Sequence, residues 1–465
     1  MGITESKEEL IKKERQRHIM RLLLGAVLIL IEAIIFFIVW KEFFNPYIRR
    51  PYRFKGNYFL AGIYTVLLLI FGNIYGGMKI GYYKVFDIIL SQSVSIIITN
   101  AVTYIAVIIP IATWYLSPLP IMGMTVINII IIIVWSIAAN RIFVSAFPPQ
   151  RLFLFYGSEE DKLAAKFITR PDRYKLCGSE KVEGRDFAES LAKKCEAYDG
   201  VIIGDISAEL RNDLLKQCFV RKIRTYTLPK ITDVILKSSE TLHIFDSPVF
   251  LNRNHGLTAE QASVKRCMDI VLSGLALIIL SPVFLITALA IKLEDGGPVF
   301  FRQDRCTIYG RVFSILKFRS MIVGAEKEGV SIPATEKDPR ITKIGAFIRA
   351  TRIDELPQLI NILKGDMSIV GPRPERVEHV EKYSAEIPEF SYRLMVKGGL
   401  TGYAQVYGKY NTTAYDKLKL DLMYIQNYSL LLDIELIFKT IKILFTREST
   451  EGFSEERSEE MGRKD

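Results

Sequence analysis

The chain has 465 residues, 49% of them hydrophobic and 24% charged, with a formal net charge of +10. A mean hydropathy of +0.20 beside an ordinary charged fraction requires the apolar residues to lie in blocks, which argues against a wholly soluble or disordered protein, and the length suggests about three domains at ~150 residues each. The charge is uneven: residues 1–150 carry 14 Lys+Arg against 7 Asp+Glu, residues 151–264 carry 18 against 17, and residues 265–465 carry 29 against 27, so the basic balance does not imply a nucleic-acid partner.

Residues 22–40, 58–76, 90–114 and 121–146 are apolar runs near the ~20 residues a helix needs to cross a bilayer, and they predict a four-helix transmembrane domain over 1–150. The first run is too long, and lacks the small-residue cleavage site, for a removed signal peptide. Lys7, Lys12, Lys13, Arg15, Arg17 and Arg21 precede it, favouring a cytoplasmic N-terminus, and an even number of spans returns the chain to the cytoplasm near Arg151. Arg49, Arg50, Arg53 and Lys55 in the first loop run against that orientation. Glu32, mid-span, reads as a carboxylate facing other helices, a packing contact rather than an ion pathway.

From Arg151 the pattern changes to short apolar runs alternating with amphipathic ones. Residues 152–158 read as a strand ending at Gly157, 159–168 as a helix, 200–205 as a buried strand, 208–219 as a helix and 223–229 as a third strand, which together predict a small α/β Rossmann-like domain with a parallel sheet over 151–250. No GxGxxG follows the first strand, so the domain reads as regulatory or assembling rather than dinucleotide-binding. Cys177, Cys195, Cys218, Cys267 and Cys306 are odd in number and widely spaced, and with only four histidines they form no zinc or disulfide pattern. A reducing cytosol suits them.

After a linker at 251–264, residues 270–293 form another apolar run long enough to span, interrupted at its centre by Ser281-Pro282. Proline there deletes a helical hydrogen bond and predicts a kink. Basic residues flank both ends, so charge gives no sign of a crossing, and a segment that bends back into the same leaflet is the favoured reading. Residues 301–353 then hold eleven Lys+Arg, including Lys317, Arg319, Arg340, Arg349 and Arg352, against five Asp+Glu. Such an excess suits a polyanionic substrate or anionic lipid headgroups. Asp354-Glu355 open the run DELPQLINILKGD, where apolar spacing, Pro357 and Gly365 predict a helix with the acidic pair at its N-terminus. By itself that pair would be a helix cap. Gly371-Pro372-Arg373-Pro374 follows, and stiff flanking prolines suit a guanidinium that binds phosphate or carboxylate.

The runs KRCMDIVLSGLALIILSPVF, GGPVFFRQDRCTIYGRVFSILKFRSM, DPRITKIGAFIRATRIDELPQLINILKGDMSIVGPRPE, KGGLTGYAQVYGKY and YIQNYSLLLDIELIFKTIKILF, in that order over 265–445, resemble the bacterial sugar transferases, the monotopic phosphoglycosyl transferases. The N-terminal half resembles the large members, the polyprenyl glycosylphosphotransferases of exopolysaccharide, capsule and O-antigen pathways. The resemblance implies a mostly helical monotopic catalytic domain at 265–445 whose re-entrant helix, 270–293, breaks at Ser281-Pro282. It implies transfer of a hexose 1-phosphate from a UDP-sugar, glucose or galactose foremost, to undecaprenyl phosphate, with release of UMP. Asp354 would be the nucleophile and Glu355 a Mg²⁺ ligand. Arg349 and Arg373 would contact phosphate or nucleotide, with Lys317, Arg319, Arg340 and Arg352 as further substrate-binding candidates. It also implies a homodimer in the bacterial inner membrane, with the Rossmann-like and catalytic domains on the cytoplasmic side against inner-leaflet lipid. Many members carry tryptophan where this chain has Ala404, which leaves sugar preference open. A membrane scaffold for polysaccharide machinery and a sequential transferase without a covalent intermediate are the competing readings. Residues 434–445 read as an interfacial helix, and 446–465, with 7 acidic and 4 basic residues, as a disordered tail.

Overall fold

The computed structural model describes residues 2–111, 116–157, 164, 167–182, 197–252, 256–325, 338–408 and 412–444. They form two compact units, divided between Leu228 and Pro229. Among the described residues five helices are long and apolar enough to cross a membrane: Glu14–Tyr47, Phe54–Tyr75, Val85–Ile105, Leu119–Ala146 and Ala259–Asp295. This is the architecture of a membrane protein, partly α/β and mostly helical.

The first unit begins with α1 (Gly2–Val39), which runs into a π-helical turn at Trp40–Phe44, followed by α2 (Phe54–Tyr75), α3 (Val85–Val102) and α4 (Leu119–Ala146). Leu28, Phe36, Trp40, Tyr64 and Ile132 form the bundle core, while Leu22, Leu30, Val66, Ile97 and Val134 point outward. Apolar contact drives little association inside lipid, so polar pairs matter more. Tyr64 Oη donates to Asn100 Oδ1 at 2.7 Å, Asn100 Nδ2 to Thr125 Oγ1 at 2.8 Å, and Trp40 Nε1 to Asn57 Oδ1 at 2.8 Å. Glu32 lies within this bundle at 2% exposure.

The chain then enters a four-stranded parallel sheet of β1 (Gln150–Tyr156), β2 (Tyr174–Lys181), β3 (Gly200–Ile203) and β4 (Thr225–Thr227), in the order β2-β1-β3-β4, with α5 (Ala208–Val220) between β3 and β4. The central strands are buried on both faces, the reason they read as continuous apolar runs. Strand β2 escaped the apolar-run reading because it lies at the edge and alternates partly buried with exposed residues along its length. Most of the helix expected at 159–168 lies outside the described residues. Gly157 packs on the backbone of Asp205, whose carbonyl oxygen would stand 2.0 Å from any added Cβ. Close packing therefore demands this glycine.

The second unit starts with α6 (Ile231–Lys237) and a hairpin of β5 (Glu240–Ile244) and β6 (Ser247–Leu251). Helix α7 (Ala259–Asp295) opens with a capping box in which Thr258 and Gln261 bond each other's backbone. Its 37 residues follow a path of ~55 Å at 1.5 Å per residue. Pro282 lies inside it and cannot donate to the Ile278 carbonyl; Ser281 Oγ donates to that oxygen instead, at 2.8 Å. Ala276, Leu277 and Leu280 pack on the main core, and Phe284, Ala288 and Ile291 on Phe318 and Ile348. The opposite face, with Ile278, Ile279, Leu285, Ile286 and Leu289, is exposed.

The rest of the unit comprises an antiparallel hairpin of β7 (Phe300–Cys306) and β8 (Val312–Phe318), α8 (Lys343–Ala350), α9 (Gln358–Lys364), β9 (Ser368–Val370), α10 (Val377–Glu386), β10 (Gly399–Thr401), α11 (Tyr403–Tyr407), α12 (Ala414–Gln426) and α13 (Leu430–Leu444). Strands β9 and β10 pair in parallel. Helix α13 packs Leu432, Leu436 and Ile437 on the core. The expected tail at 446–465 lies outside the described residues.

Candidate active site

The acidic pair lies one turn earlier than the sequence pattern suggested. Asp354 and Glu355 occupy a 3-10 turn, Ile353–Glu355, and α9 starts beyond Pro357, which takes the N-cap position. Arg352, just before the turn, has φ +59°, a left-handed conformation that costs a non-glycine residue about 1–3 kcal/mol and collects at functional sites. Gly365, at φ +96°, ends α9. Arg266 of α7 donates to the last carbonyls of that helix, Ile362 O at 2.6 Å and Leu363 O at 2.7 Å.

Asn361 sets the distance between this turn and the hairpin. Its Oδ1 accepts from Leu316 N at 2.9 Å and its Nδ2 donates to Ser314 O at 3.0 Å, so α9 completes the open edge of β8. Lys317 of β8 thereby reaches Glu355, Nζ to Oε1, at 3.3 Å. Arg373 Nη2 donates to the same oxygen at 2.6 Å. The loop carrying Arg373 lies flat on β10: Gly371 N donates to Thr401 O at 2.8 Å and Gly399 N to Pro372 O at 2.9 Å. A Cβ on Gly371 would meet Lys397 O at 2.4 Å. From behind, Arg393 donates to the Arg373 carbonyl at 3.0 Å and is itself paired with Asp421 at 2.7 Å. Both residues of that pair are buried.

The two acids of the dyad differ in surroundings. Burial would raise the Glu355 carboxyl, but the Arg373 guanidinium and the Lys317 ammonium outweigh it and hold the group well below the usual carboxylate range. Burial lowers the Lys317 ammonium against the pull of Glu355, while Glu355 raises the Arg373 guanidinium despite burial. Asp354 is raised, first by burial and then by the Glu355 charge, with Lys317, Arg349 and Arg373 pulling the other way. Among the described residues Asp354 makes no hydrogen bond or ion pair. A carboxylate paired through one oxygen thus stands beside an unengaged one.

Among the other residues singled out from the sequence, Arg349 is half-buried on the last turn of α8, near enough for its charge to act on Asp354, and Arg352 acts on Glu355 in the same way. Arg319 and Arg340 are engaged elsewhere. The strand ends at Phe318, and Arg319 turns away to form a fork on Asp295 at the end of α7, with Nε bonding Pro298 O at 2.7 Å. Arg340 forms a fork on Asp338, Nη2 to Oδ2 at 2.6 Å and Nε to Oδ1 at 2.9 Å. Asn361, Arg393, Asp421 and Asp269 were not anticipated. Asp269, buried on α7, accepts from Ser368 Oγ at 3.0 Å and Ile369 N at 2.9 Å, anchoring β9. An aspartate on the apolar face of a long helix was the available signal for it.

Among the described residues no cluster of three His, Cys, Asp or Glu side chains could hold a metal by itself. Both bonds to Glu355 fall on Oε1, which leaves Oε2 outside them. Mg²⁺ uses one or two carboxylates and completes its shell with water and substrate phosphate, so this donor set fits it.

A chain with membrane-length apolar helices and a half-buried acidic dyad ringed by Lys317, Arg349 and Arg373 has the features of an enzyme site for an anionic substrate. The family model described as bacterial sugar transferase matches residues 260–447. The chain is 38% identical over 268 residues to the UDP-N-acetylgalactosamine-undecaprenyl-phosphate N-acetylgalactosaminephosphotransferase of Aeromonas hydrophila, covering 54% of this chain and 59% of the relative. It is 41% identical over 191 residues to a UDP-glucose:undecaprenyl-phosphate glucose-1-phosphate transferase of Caulobacter vibrioides, covering 40% and 71%. It is 37% identical over 238 residues to an undecaprenyl-phosphate galactose phosphotransferase of Salmonella typhimurium, covering 48% of this chain and 49% of the relative. The chain belongs to the bacterial sugar transferase family. It spans between about half and seven-tenths of these relatives' lengths.

Proposed function

We propose that this protein transfers a sugar 1-phosphate from a UDP-sugar to undecaprenyl phosphate, through a phosphosugar ester on Asp354. The observation that carries this reading is the asymmetry of the dyad: Glu355 is held ionised by Arg373 and Lys317, while Asp354 is ionisable, unengaged and adjacent. In the first step an Asp354 carboxylate oxygen forms a bond to the sugar-side phosphorus and the phosphoanhydride bond to UMP breaks. In the second, an oxygen of undecaprenyl phosphate forms a bond to that phosphorus and the bond to Asp354 breaks, which regenerates the carboxylate. Arg373, Lys317 and Arg349 offset the repulsion between a carboxylate and a diphosphate. A Mg²⁺ ion on Glu355 would supply further charge neutralisation.

The site must meet a cytosolic nucleotide and a membrane lipid, and a re-entrant α7 provides for both. Its two ends bond one folded body: Arg266 and Asp269 hold α9 and β9, while Asp295 holds Arg319 after β8. These contacts support a helix that bends near Ser281-Pro282 and returns to the cytoplasmic face of the cell membrane. Relatives of nearly equal identity are named for N-acetylgalactosamine, glucose and galactose, so the sugar follows from assay.

A panel of UDP-sugars, scored for UMP release by the purified chain, identifies the donor. Asp354→Asn should abolish release, and a phosphosugar adduct should be trapped on the peptide containing Asp354. Normal UMP release by Asp354→Asn would falsify the nucleophile.

A further inference from the structure

The first unit holds a cavity of about 430 Å³ between the helix ends of the membrane bundle and the α/β sheet. We propose that this cavity binds a phosphate-bearing anion through Arg17, Arg21 and Arg173.

Arg17 and Arg21 stand one turn apart on α1 and line the cavity, as does Arg173 from the turn before β2. The Tyr82 ring lies between two of them, 4.2 Å from the Arg21 guanidinium carbon and 4.0 Å from that of Arg173. Arg17 lies over Phe147 at 5.4 Å. Arg21 Nε donates to Ile80 O at 3.0 Å, which orients its fork. Among the described residues none of the three has a carboxylate at ion-pair distance. The neighbouring acids, of which Glu14 and Asp172 line the cavity themselves, are committed to other groups. Glu14 pairs with Arg224; Asp172 takes the Arg170 fork at 2.8 and 2.9 Å; and Asp199 accepts from Arg151 N at 2.8 Å.

Four arginines, these three and Arg224, line this partly enclosed space against two acids, Glu14 and Asp172, each paired with another cation; Arg17, Arg21 and Arg173 therefore repel one another, and stacking on aromatic rings offsets only part of that. A phosphate group removes the repulsion and suits the planar forks, which bind it bidentately. The walls are also fixed in place: Arg170 donates to Tyr82 O at 2.6 Å and Tyr83 O at 3.3 Å, tying the loop between α2 and α3 to the α/β domain. The cavity lies in the size range of small-molecule sites. Arg21 lies in the membrane-span helix Glu14–Tyr47 and Phe143 near the end of α4, so the anion is either a lipid headgroup or a soluble phosphoryl compound reaching the membrane surface. Either ligand would give the α/β domain, which lacks a dinucleotide fingerprint, a reason to sit against the bundle.

The test uses the full chain in phosphatidylcholine nanodiscs, with amide hydrogen exchange read on peptides covering 79–84 and 170–175. One arm adds pyrophosphate against potassium chloride of equal ionic strength; the other replaces part of the lipid with phosphatidylglycerol. Exchange in both peptides should slow severalfold in at least one arm. Slowing with pyrophosphate alone identifies a soluble ligand, and slowing with phosphatidylglycerol a headgroup. The Arg17→Gln/Arg21→Gln/Arg173→Gln variant should lose the effect. If that variant unfolds, as judged by exchange in β1 and β3, Arg173→Gln alone should weaken binding about tenfold, the loss expected for one charge-assisted bond. Unchanged exchange in both arms, or equal protection in the folded variant, overturns the proposal. Because the readout is confined to these peptides, phosphate bound at the Asp354 site does not register.

Discussion

Arg393→Met tests whether the loop that aims Arg373 is held from behind. The Arg393 and Asp421 side chains are 3% and 1% exposed and lie 2.7 Å apart. Removing the arginine leaves Asp421 buried without its cation, a change that costs about 3–5 kcal/mol. For a folded unit of about this size, 1 kcal/mol moves the melting temperature by roughly 2–4 °C, so thermal unfolding in detergent should fall by roughly 6–20 °C. The same substitution frees the Arg373 carbonyl, which Arg393 bonds at 3.0 Å, and should lower UMP release as well. The double variant Arg393→Met/Asp421→Leu separates the two effects. The Asp421 charge is gone while Glu375, 3.5 Å from Arg393 in the parent, still lacks that partner, so part of the stability returns, whereas the carbonyl remains untethered and turnover stays low. A single variant that melts within 2 °C of the parent would refute the buried-pair reasoning, and full recovery of turnover in the double variant would refute the positioning role.

Three further outcomes follow from the same geometry. Because burial and Glu355 raise Asp354 above its unfolded value, the folded chain holds that proton more tightly than the unfolded chain. The associated stability is present at low pH and is lost as pH rises through the folded pKa, so Asp354→Asn should melt higher than the parent at pH 7 and no higher below about pH 3; an equal or lower melting point at pH 7 would count against the strained nucleophile. The acid limb of kcat/KM should correspondingly lie above the ordinary aspartate value of about 3.9. Arg373→Gln removes the stronger of the two bonds to Glu355 and should lower kcat by about 10²–10³, with Arg373→Lys recovering only part; equal activity of the lysine variant would show that the planar fork is unnecessary. Asn361→Leu leaves Leu316 N and Ser314 O unpaired at about 1–3 kcal/mol each, and chemical unfolding that shows a loss below 1 kcal/mol would contradict its place as the edge of β8.

Much of this arrangement is legible in the chain itself. Membrane helices appear as hydropathy blocks because each must bury or lipidate some twenty residues in a row, and β1 and β3 appear as apolar runs because both faces of a central parallel strand are covered. The acidic dyad and the Gly-Pro-Arg-Pro run are readable because glycine and proline restrict the backbone around them. Strand β2 is not, since an edge strand with alternating exposure carries too little apolar signal. Nor could sequence separate Lys317 from Arg319, two cations two residues apart. On a continued strand they would face the same way, but β8 ends at Phe318, and Asp295, 24 residues distant in the chain, captures Arg319.

Local periodicity and composition by themselves determined where the membrane helices, the parallel sheet and the acidic pair lie. Only the tertiary structure decided which cations face that pair, since this depends on partners far apart in sequence: Asn361 against β8, Arg393 against the loop of Arg373, and Asp269 against β9. It also decided that two adjacent acids differ in kind. Side-chain charge is the same for both in the sequence, but an ion pair forms only where folding brings a guanidinium within hydrogen-bond reach, and here Arg373 reaches Glu355 while Asp354 remains unengaged.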